Sequence, residues 1–112
     1  MKYRFSFEKG NDGYNKIILP EEIKLIEYVF EDMESFGEPI FQSFVEKVVN
    51  KDSNYEGVSG NICSLEINRD FTTVSTEFFT SEMVDECKIE TDELMLLILA
   101  WIDENKEQLQ LN

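Results

Sequence analysis

The segment 62–78 constrains the fold more than any other part of this sequence. Two runs of strand-forming residues, 62–67 with two isoleucines and 72–78 with four β-branched residues and a phenylalanine, lie on either side of Asn68-Arg69-Asp70. Such residues favour strands, and a short turn containing Asn or Asp between two strands is typical of an antiparallel hairpin. The sequence therefore predicts a β-hairpin here, and the rest of the chain must cover one face of it.

Helical periodicity is found on both sides of the hairpin. Pro20 and Gly37 bound the first predicted helix, because proline suits a first helical turn and glycine suits a helix end. Its apolar face consists of Ile23, Ile26, Val29, Phe30 and Met33. A second helix is predicted from about Pro39, with the stripe Phe41, Phe44, Val45, Val48 and Val49. The last helix has the stripe Leu94, Leu97, Ile98, Trp101 and Ile102, which Met95 and Leu99 are expected to widen, and Thr91 is its predicted N-cap.

The remaining segments complete the predicted order of elements. Strict alternation over 2–7 predicts a first strand, and a further short strand is predicted within 83–89. The segment 50–60 is polar and contains two glycines, which predicts a loop. The order β-α-α-β-β-β-α favours an α+β fold, a mainly antiparallel sheet with helices packed on it. We expect a single domain covering residues 1–112, since no linker or repeat interrupts the pattern.

The charge balance limits the partners of this chain. Against 24 Asp and Glu there are 10 Lys and Arg, so the formal net charge is −14. A cationic surface is needed to bind nucleic acid or anionic membranes, so we expect neither as a direct partner. A strong negative field attracts cationic proteins instead, although acidity can also serve solubility alone. The hydrophobic content of 42% is sufficient for a core, unlike that of a disordered acidic tail.

No residue pattern indicates catalysis, a metal site or a cofactor. The chain lacks histidine and has no glycine-rich phosphate loop, so we expect no enzyme activity, no metal and no cofactor. Cys63 and Cys87 do not show the spacing of a zinc site and are expected to be reduced, with a disulfide as the alternative. The N-terminus has no apolar signal segment, and the longest apolar run, 94–102, is too short to span a bilayer. These features predict a cytoplasmic protein.

Three acidic clusters are the remaining candidates for function. The first consists of Glu31, Asp32, Glu34 and Glu38, and the third of Asp103, Glu104 and Glu107. The second is the favoured partner-binding site, with nearby aromatic residues as apolar anchors. Its candidate residues are Glu82, Asp85, Glu86, Glu90, Asp92 and Glu93, together with Phe79 and Tyr55. The alternative is that these carboxylates are ordinary solvated faces.

The layout of the chain resembles that of small bacterial immunity proteins. The resemblance lies in a short strand, helices, a β-rich hairpin and a late acidic-to-apolar helix, most specifically over 62–105. Such proteins accompany polymorphic or contact-dependent growth inhibition toxins. The resemblance implies a cognate basic toxin domain as partner, often a nuclease, neutralised by tight binding. An acidic nucleic-acid mimic that blocks a DNA-binding or defence protein is the alternative, and a small enzyme or metal-binding domain is a third possibility.

Overall fold

The computed structural model describes residues 2–77 and 84–110. Helices and strands are mixed along the chain, which confirms the predicted α+β class. A short 3-10 helix, Glu21–Ile26, precedes the first α-helix. In chain order the other elements are β1 Ser6–Lys9, β2 Asn15–Ile18, α1 Glu27–Phe36, α2 Gln42–Val49, β3 Tyr55–Ser59, β4 Cys63–Asn68, β5 Phe71–Glu77, β6 Val84–Glu90 and α3 Thr91–Glu104.

The main sheet has four antiparallel strands in the order β3-β4-β5-β6. The predicted hairpin is confirmed as β4 and β5, in which Leu65 lies opposite Val74. The predicted strand within 83–89 is confirmed as β6, in which Cys87 lies opposite Val74. Because successive side chains of a strand point to opposite faces, this register places one apolar row on the inner face of the sheet.

Two strands were not predicted. The supposed polar loop 50–60 contains β3, which pairs with β4 through Val58 opposite Leu65. The other unpredicted strand is β2, which pairs with β1. The first strand was predicted at 2–7, and β1 is found slightly later, at Ser6–Lys9. Both missed strands are short, and Gly57 interrupts the alternation in β3. Strands of this length depend on cross-strand contacts, which local sequence patterns do not show.

The helix boundaries follow local sequence signals. The helical segment that begins after Pro20 changes from 3-10 to α geometry at Glu27 and ends at Gly37, which has φ 72°. The Gly37 N–H donates to the carbonyls of Met33 and Glu34, satisfying two otherwise unpaired acceptors. The second helix starts at Gln42, slightly later than Pro39 suggests. Thr91 is not an N-cap: its hydroxyl donates to the Asn68 carbonyl at 2.5 Å.

The inner face of the sheet and the helices enclose one apolar core. Trp101, Phe30 and Phe41 are its largest fully buried side chains. Met95 belongs to this core as predicted, but Leu99 does not, since it is exposed on the outer side of α3. The helix turns by about 100° per residue, so only part of its apolar surface can face the sheet. The predicted stripe was therefore too wide.

Two further expectations concern the cysteines and the apolar segments. Cys63 and Cys87 are both free. They lie on β4 and β6, which are separated by β5. Among the described residues, no helix has both the length and the apolar character needed to cross a membrane.

Candidate functional site

The first acidic cluster contains a buried carboxylate, Asp32, that holds a loop in place. Its oxygens accept hydrogen bonds from the backbone N–H groups of Asn61 at 3.0 Å, Ile62 at 2.9 Å and Cys63 at 3.1 Å. A fully buried carboxylate is tolerable only when such donors replace water. Asp32 on α1 therefore fixes the connection between β3 and β4.

The approach of Asp32 to this loop requires a glycine. A Cβ on Gly60 would lie 2.3 Å from Oδ2 of Asp32 and 3.0 Å from the Phe41 ring, both closer than van der Waals contact allows. The Cys63 thiol also donates to Asp32. Burial, and then the negative charge of Asp32, raise the pKa of this thiol, so Cys63 stays protonated and unreactive.

A second buried carboxylate of the same cluster, Glu34, joins three distant parts of the chain. It accepts hydrogen bonds from Lys16 Nζ at 2.5 Å and from Trp101 Nε1 at 3.2 Å. The Tyr14 ring stacks on Trp101 with a centroid distance of 6.0 Å. Glu34 is thus committed to internal contacts between β2, α1 and α3.

Only Glu31 of this helical turn remains exposed, beside a cavity of about 240 Å³ that Lys16, Phe30 and Glu34 also line. Burial and the neighbouring Glu34 charge raise the pKa of Glu31. The other carboxylate in the wall, Glu27, accepts a hydrogen bond from the Leu19 N–H at 2.8 Å and pairs with Lys24 at 2.8 Å. Most charges around the cavity therefore serve the fold.

The second acidic cluster is divided between two roles. Glu90 accepts hydrogen bonds from Lys2 Nζ at 2.5 Å and from the Tyr3 hydroxyl at 2.6 Å. These two bonds lower the pKa of Glu90 to about 2. Glu93 accepts a hydrogen bond from the Lys2 backbone N–H. Two of the predicted partner-binding carboxylates thus hold the N-terminal segment against the end of β6 and the start of α3.

Three other predicted residues, Asp85, Glu86 and Asp92, are exposed and form no hydrogen bond or ion pair with any described residue. Asp85 and Glu86 are consecutive on β6, so they point to opposite faces of the sheet. Tyr55 is exposed on β3, at the other edge of that sheet. The structure therefore does not gather the predicted residues into one compact patch. Phe79 and Glu82 lie outside the described residues.

Sequence reasoning missed several exposed apolar side chains. Phe71 on β5 is 49% exposed, and Leu96 and Leu99 on α3 are 41% and 45% exposed. Tyr55, which was among the predicted site residues, is also 49% exposed. The alternation of β5 could have indicated that Phe71 is exposed. Thr72 and Val74 point to the buried face of the sheet, with Phe71 on the opposite face from Thr72. Helical spacing already left Leu96 off the predicted apolar stripe, whereas Leu99 carried no such signal within the apolar run 94–102.

The arrangement offers surfaces for binding. Within residues 2–77 and 84–110, no group of three or more Cys, Asp or Glu side chains is placed to hold a metal ion. Exposed carboxylates lie on β6 and at the start of α3, and exposed aromatic rings lie on β3 and β5. Charged rims and rigid aromatic anchors are the usual elements of protein interfaces.

Comparison with known proteins gives one informative result. The chain is 43% identical over 108 residues to a protein of Bacillus cereus named "Immunity protein", and the match covers 96% of this chain and 92% of that protein. No protein-family model matches the chain, and no solved structure matches it significantly. Identity at this level over nearly the full length of both proteins shows common descent, and the chain belongs to the family of this immunity protein.

Proposed function

We propose that this chain neutralises a cognate bacterial toxin by tight, charge-complementary binding, and that the toxin is a basic nuclease of a contact-dependent growth inhibition or related polymorphic system. The observation that carries the proposal is membership of an immunity protein family. A nuclease must attract phosphates and is therefore cationic where it binds its substrate. A chain with a net charge of −14 complements such a surface.

The free carboxylates support the electrostatic part of this proposal. Asp85, Glu86 and Asp92 project into solvent and form no ion pair with any described residue. Exposed charges of this kind mainly accelerate association with an oppositely charged partner and contribute less to the lifetime of the complex. Glu90 and Glu93 act indirectly in this proposal, because they hold the N-terminal segment beside these residues.

The proposed mode of action needs no chemistry from this chain. A stoichiometric inhibitor works by covering the toxin surface, and its natural location is the cytoplasm, where a nuclease would reach nucleic acid. The alternative, a nucleic-acid mimic, requires carboxylates spaced along one line like phosphates. Asp85 and Glu86 point to opposite faces of the sheet, which favours a cognate partner over mimicry.

Co-purification with the product of the adjacent toxin gene tests this proposal. We expect a one-to-one complex that survives high salt once formed, with association that slows as salt screens the charges. The purified chain should also abolish cleavage of DNA or RNA by that toxin. Failure to bind would contradict the proposal, whereas binding a toxin with another activity would correct only the nuclease assignment.

A further inference from the structure

Among the described residues, no helix or strand packs on the outer face of the four-stranded sheet, and only Lys2 and Tyr3 of the N-terminal segment reach it, through Glu90 opposite Phe71. The buried side chains of β4 and β5, such as Leu65, Ile67 and Val74, all belong to the inner face, on which the helices pack. The residues that alternate with them along the strands, such as Glu66 and Thr73, point away from the core. An antiparallel sheet can leave one face to solvent, but polar residues then normally occupy that face.

Two aromatic side chains break that rule at one end of the outer face. Tyr55 lies opposite Asn68, and Asn68 and Phe71 flank the turn between β4 and β5. Tyr55 on β3 and Phe71 on β5 are therefore separated by the single strand β4. A strand spacing of about 4.8 Å places their Cα atoms about 10 Å apart. Each is 49% exposed. Exposed aromatic residues close together on one face are typical of binding sites rather than of solvated sheets.

The Tyr55 ring lies over Gly57 on the outer face, where a larger residue would leave it no room. A Cβ on Gly57 would lie 3.0 Å from Tyr55 Oη and 3.5 Å from Cζ, so the ring edge rests where a side chain would otherwise stand. Gly57 weakens a strand, and its position two residues from Tyr55 on the same face is consistent with this close approach.

The rest of the outer face carries small polar side chains and exposed charged residues. The Ser59 and Ser64 hydroxyls share a hydrogen bond of 2.8 Å, and small side chains leave the strands accessible. Glu66 and Glu86 are exposed on this face, and the exposed Lys88 lies two residues from Glu86 on β6, in the same register row as Glu66. The two exposed carboxylates outnumber the lysine among the described residues of this face, so its charge favours a cationic partner over a second copy of the chain.

We infer that the outer face of the sheet is the surface that docks the toxin. Tyr55 and Phe71 enter apolar pockets of a cationic toxin domain, and Glu66 and Glu86 lie opposite its basic side chains. This inference rests on the proposed function and specifies the surface that performs it. The exposed stripe of α3, which contains Leu96 and Leu99, lies on the helix layer and is not part of the interface.

Two double variants of matched character test this assignment. Tyr55→Ser with Phe71→Ser removes the aromatic pair, and Leu96→Ser with Leu99→Ser removes two similarly exposed apolar side chains from α3. The Kd for the catalytically inactive toxin domain of the adjacent gene is measured by calorimetry for both variants and the unaltered chain. We expect the aromatic variant to bind at least about 30-fold more weakly, the effect of losing one hot-spot residue or more. The α3 variant should stay within about threefold, the range of peripheral contacts.

The outcomes separate the inference from the proposed function. Weakened binding by the α3 variant alone, or unchanged binding by both variants, overturns the docking surface while the toxin still binds the unaltered chain. Dimerisation of the unaltered chain that Phe71→Ser abolishes also overturns it, since a second copy would then cover the face. Absence of binding by the unaltered chain overturns the proposed function and the inference with it. Circular dichroism and thermal melting of each variant establish that it is folded.

Discussion

Two acidic stretches of this chain look alike in sequence and differ in the structure, because only the first contains buried carboxylates among the described residues. Between residues 31 and 38, Asp32 and Glu34 are buried and accept hydrogen bonds from the backbone, Lys16 and Trp101. Between residues 85 and 93, Asp85, Glu86 and Asp92 remain in solvent. Charge density in a sequence therefore does not measure the charge available to a partner.

The difference arises from what lies beside each stretch. The end of α1 faces a loop whose backbone N–H groups point inward, so a carboxylate there replaces the water those groups lose. The strand β6 lies at an edge of the sheet, where water solvates its side chains. The second stretch is itself divided, because only Glu90 and Glu93 meet the N-terminal segment.

The largest expected effect comes from neutralising Asp32, the more deeply buried of the two buried carboxylates in the first stretch. Asp32→Asn should lower the free energy of unfolding by about 3 kcal/mol, because an amide cannot accept all the hydrogen bonds now received by two carboxylate oxygens. Urea denaturation followed by circular dichroism measures this change. Glu31→Gln is the matched control on the next residue and should change stability by less than about 0.5 kcal/mol. Equal effects would remove the distinction between buried and exposed carboxylates in this stretch.

A smaller loss of stability is expected at the second buried carboxylate. Glu34→Gln loses the charge that pairs with Lys16 but keeps an oxygen that can accept from Trp101, so the cost should be about 1–2 kcal/mol. Trp101 is the only tryptophan of the chain, and its fluorescence reports directly on this contact. Glu38→Gln, an exposed position beyond the helix end, serves as the control. An unchanged stability and emission spectrum would show that Glu34 is not a structural residue.

The acid dependence of stability distinguishes the two roles within the second stretch. The pKa of Glu90 is lowered to about 2 from a usual value of 4.5, so its contribution is present above the usual pKa and is lost as the pH falls through about 2. Glu90→Gln should therefore lower the melting temperature by a few degrees near neutral pH, and the difference should disappear towards pH 2. Glu86→Gln is the control, since Glu86 has no described partner. A difference that grows in acid would contradict a stabilising role for the hydrogen bonds from Lys2 and Tyr3 to Glu90.

The smallest effect on stability should accompany a clear effect on binding. Asp85→Asn, Glu86→Gln and Asp92→Asn together should change the free energy of unfolding by about 0.5 kcal/mol or less, as is usual for surface sites. Association with the toxin should slow about tenfold at low salt and lose much of its salt dependence. Stopped-flow kinetics measures the association rate. The triple variant Glu8→Gln, Glu38→Gln and Glu46→Gln makes the same change in net charge elsewhere on the surface. Equal slowing by both would assign steering to total charge rather than to these residues.

Much of the fold could be predicted from local patterns. The hairpin of β4 and β5, the position of β6 and the apolar faces of the helices follow from alternation and helical spacing. The strands β2 and β3 could not be found in this way, because they contain only four and five residues and are stabilised by pairing. The candidate site was predicted less well: Asp85, Glu86, Asp92 and Tyr55 are exposed, whereas Glu90 and Glu93 have internal partners.

The sequence by itself determined the class of fold, the strongly negative charge and the absence of histidine, since these depend only on composition and on neighbours along the chain. Only the tertiary structure decided which carboxylates are free. Asp32 meets its donors about 30 residues away and Glu34 meets Trp101 67 residues away. It also decided that Tyr55 and Phe71 share one open face, because strand register brings them together. Such long-range contacts follow from packing and have no counterpart in a local pattern.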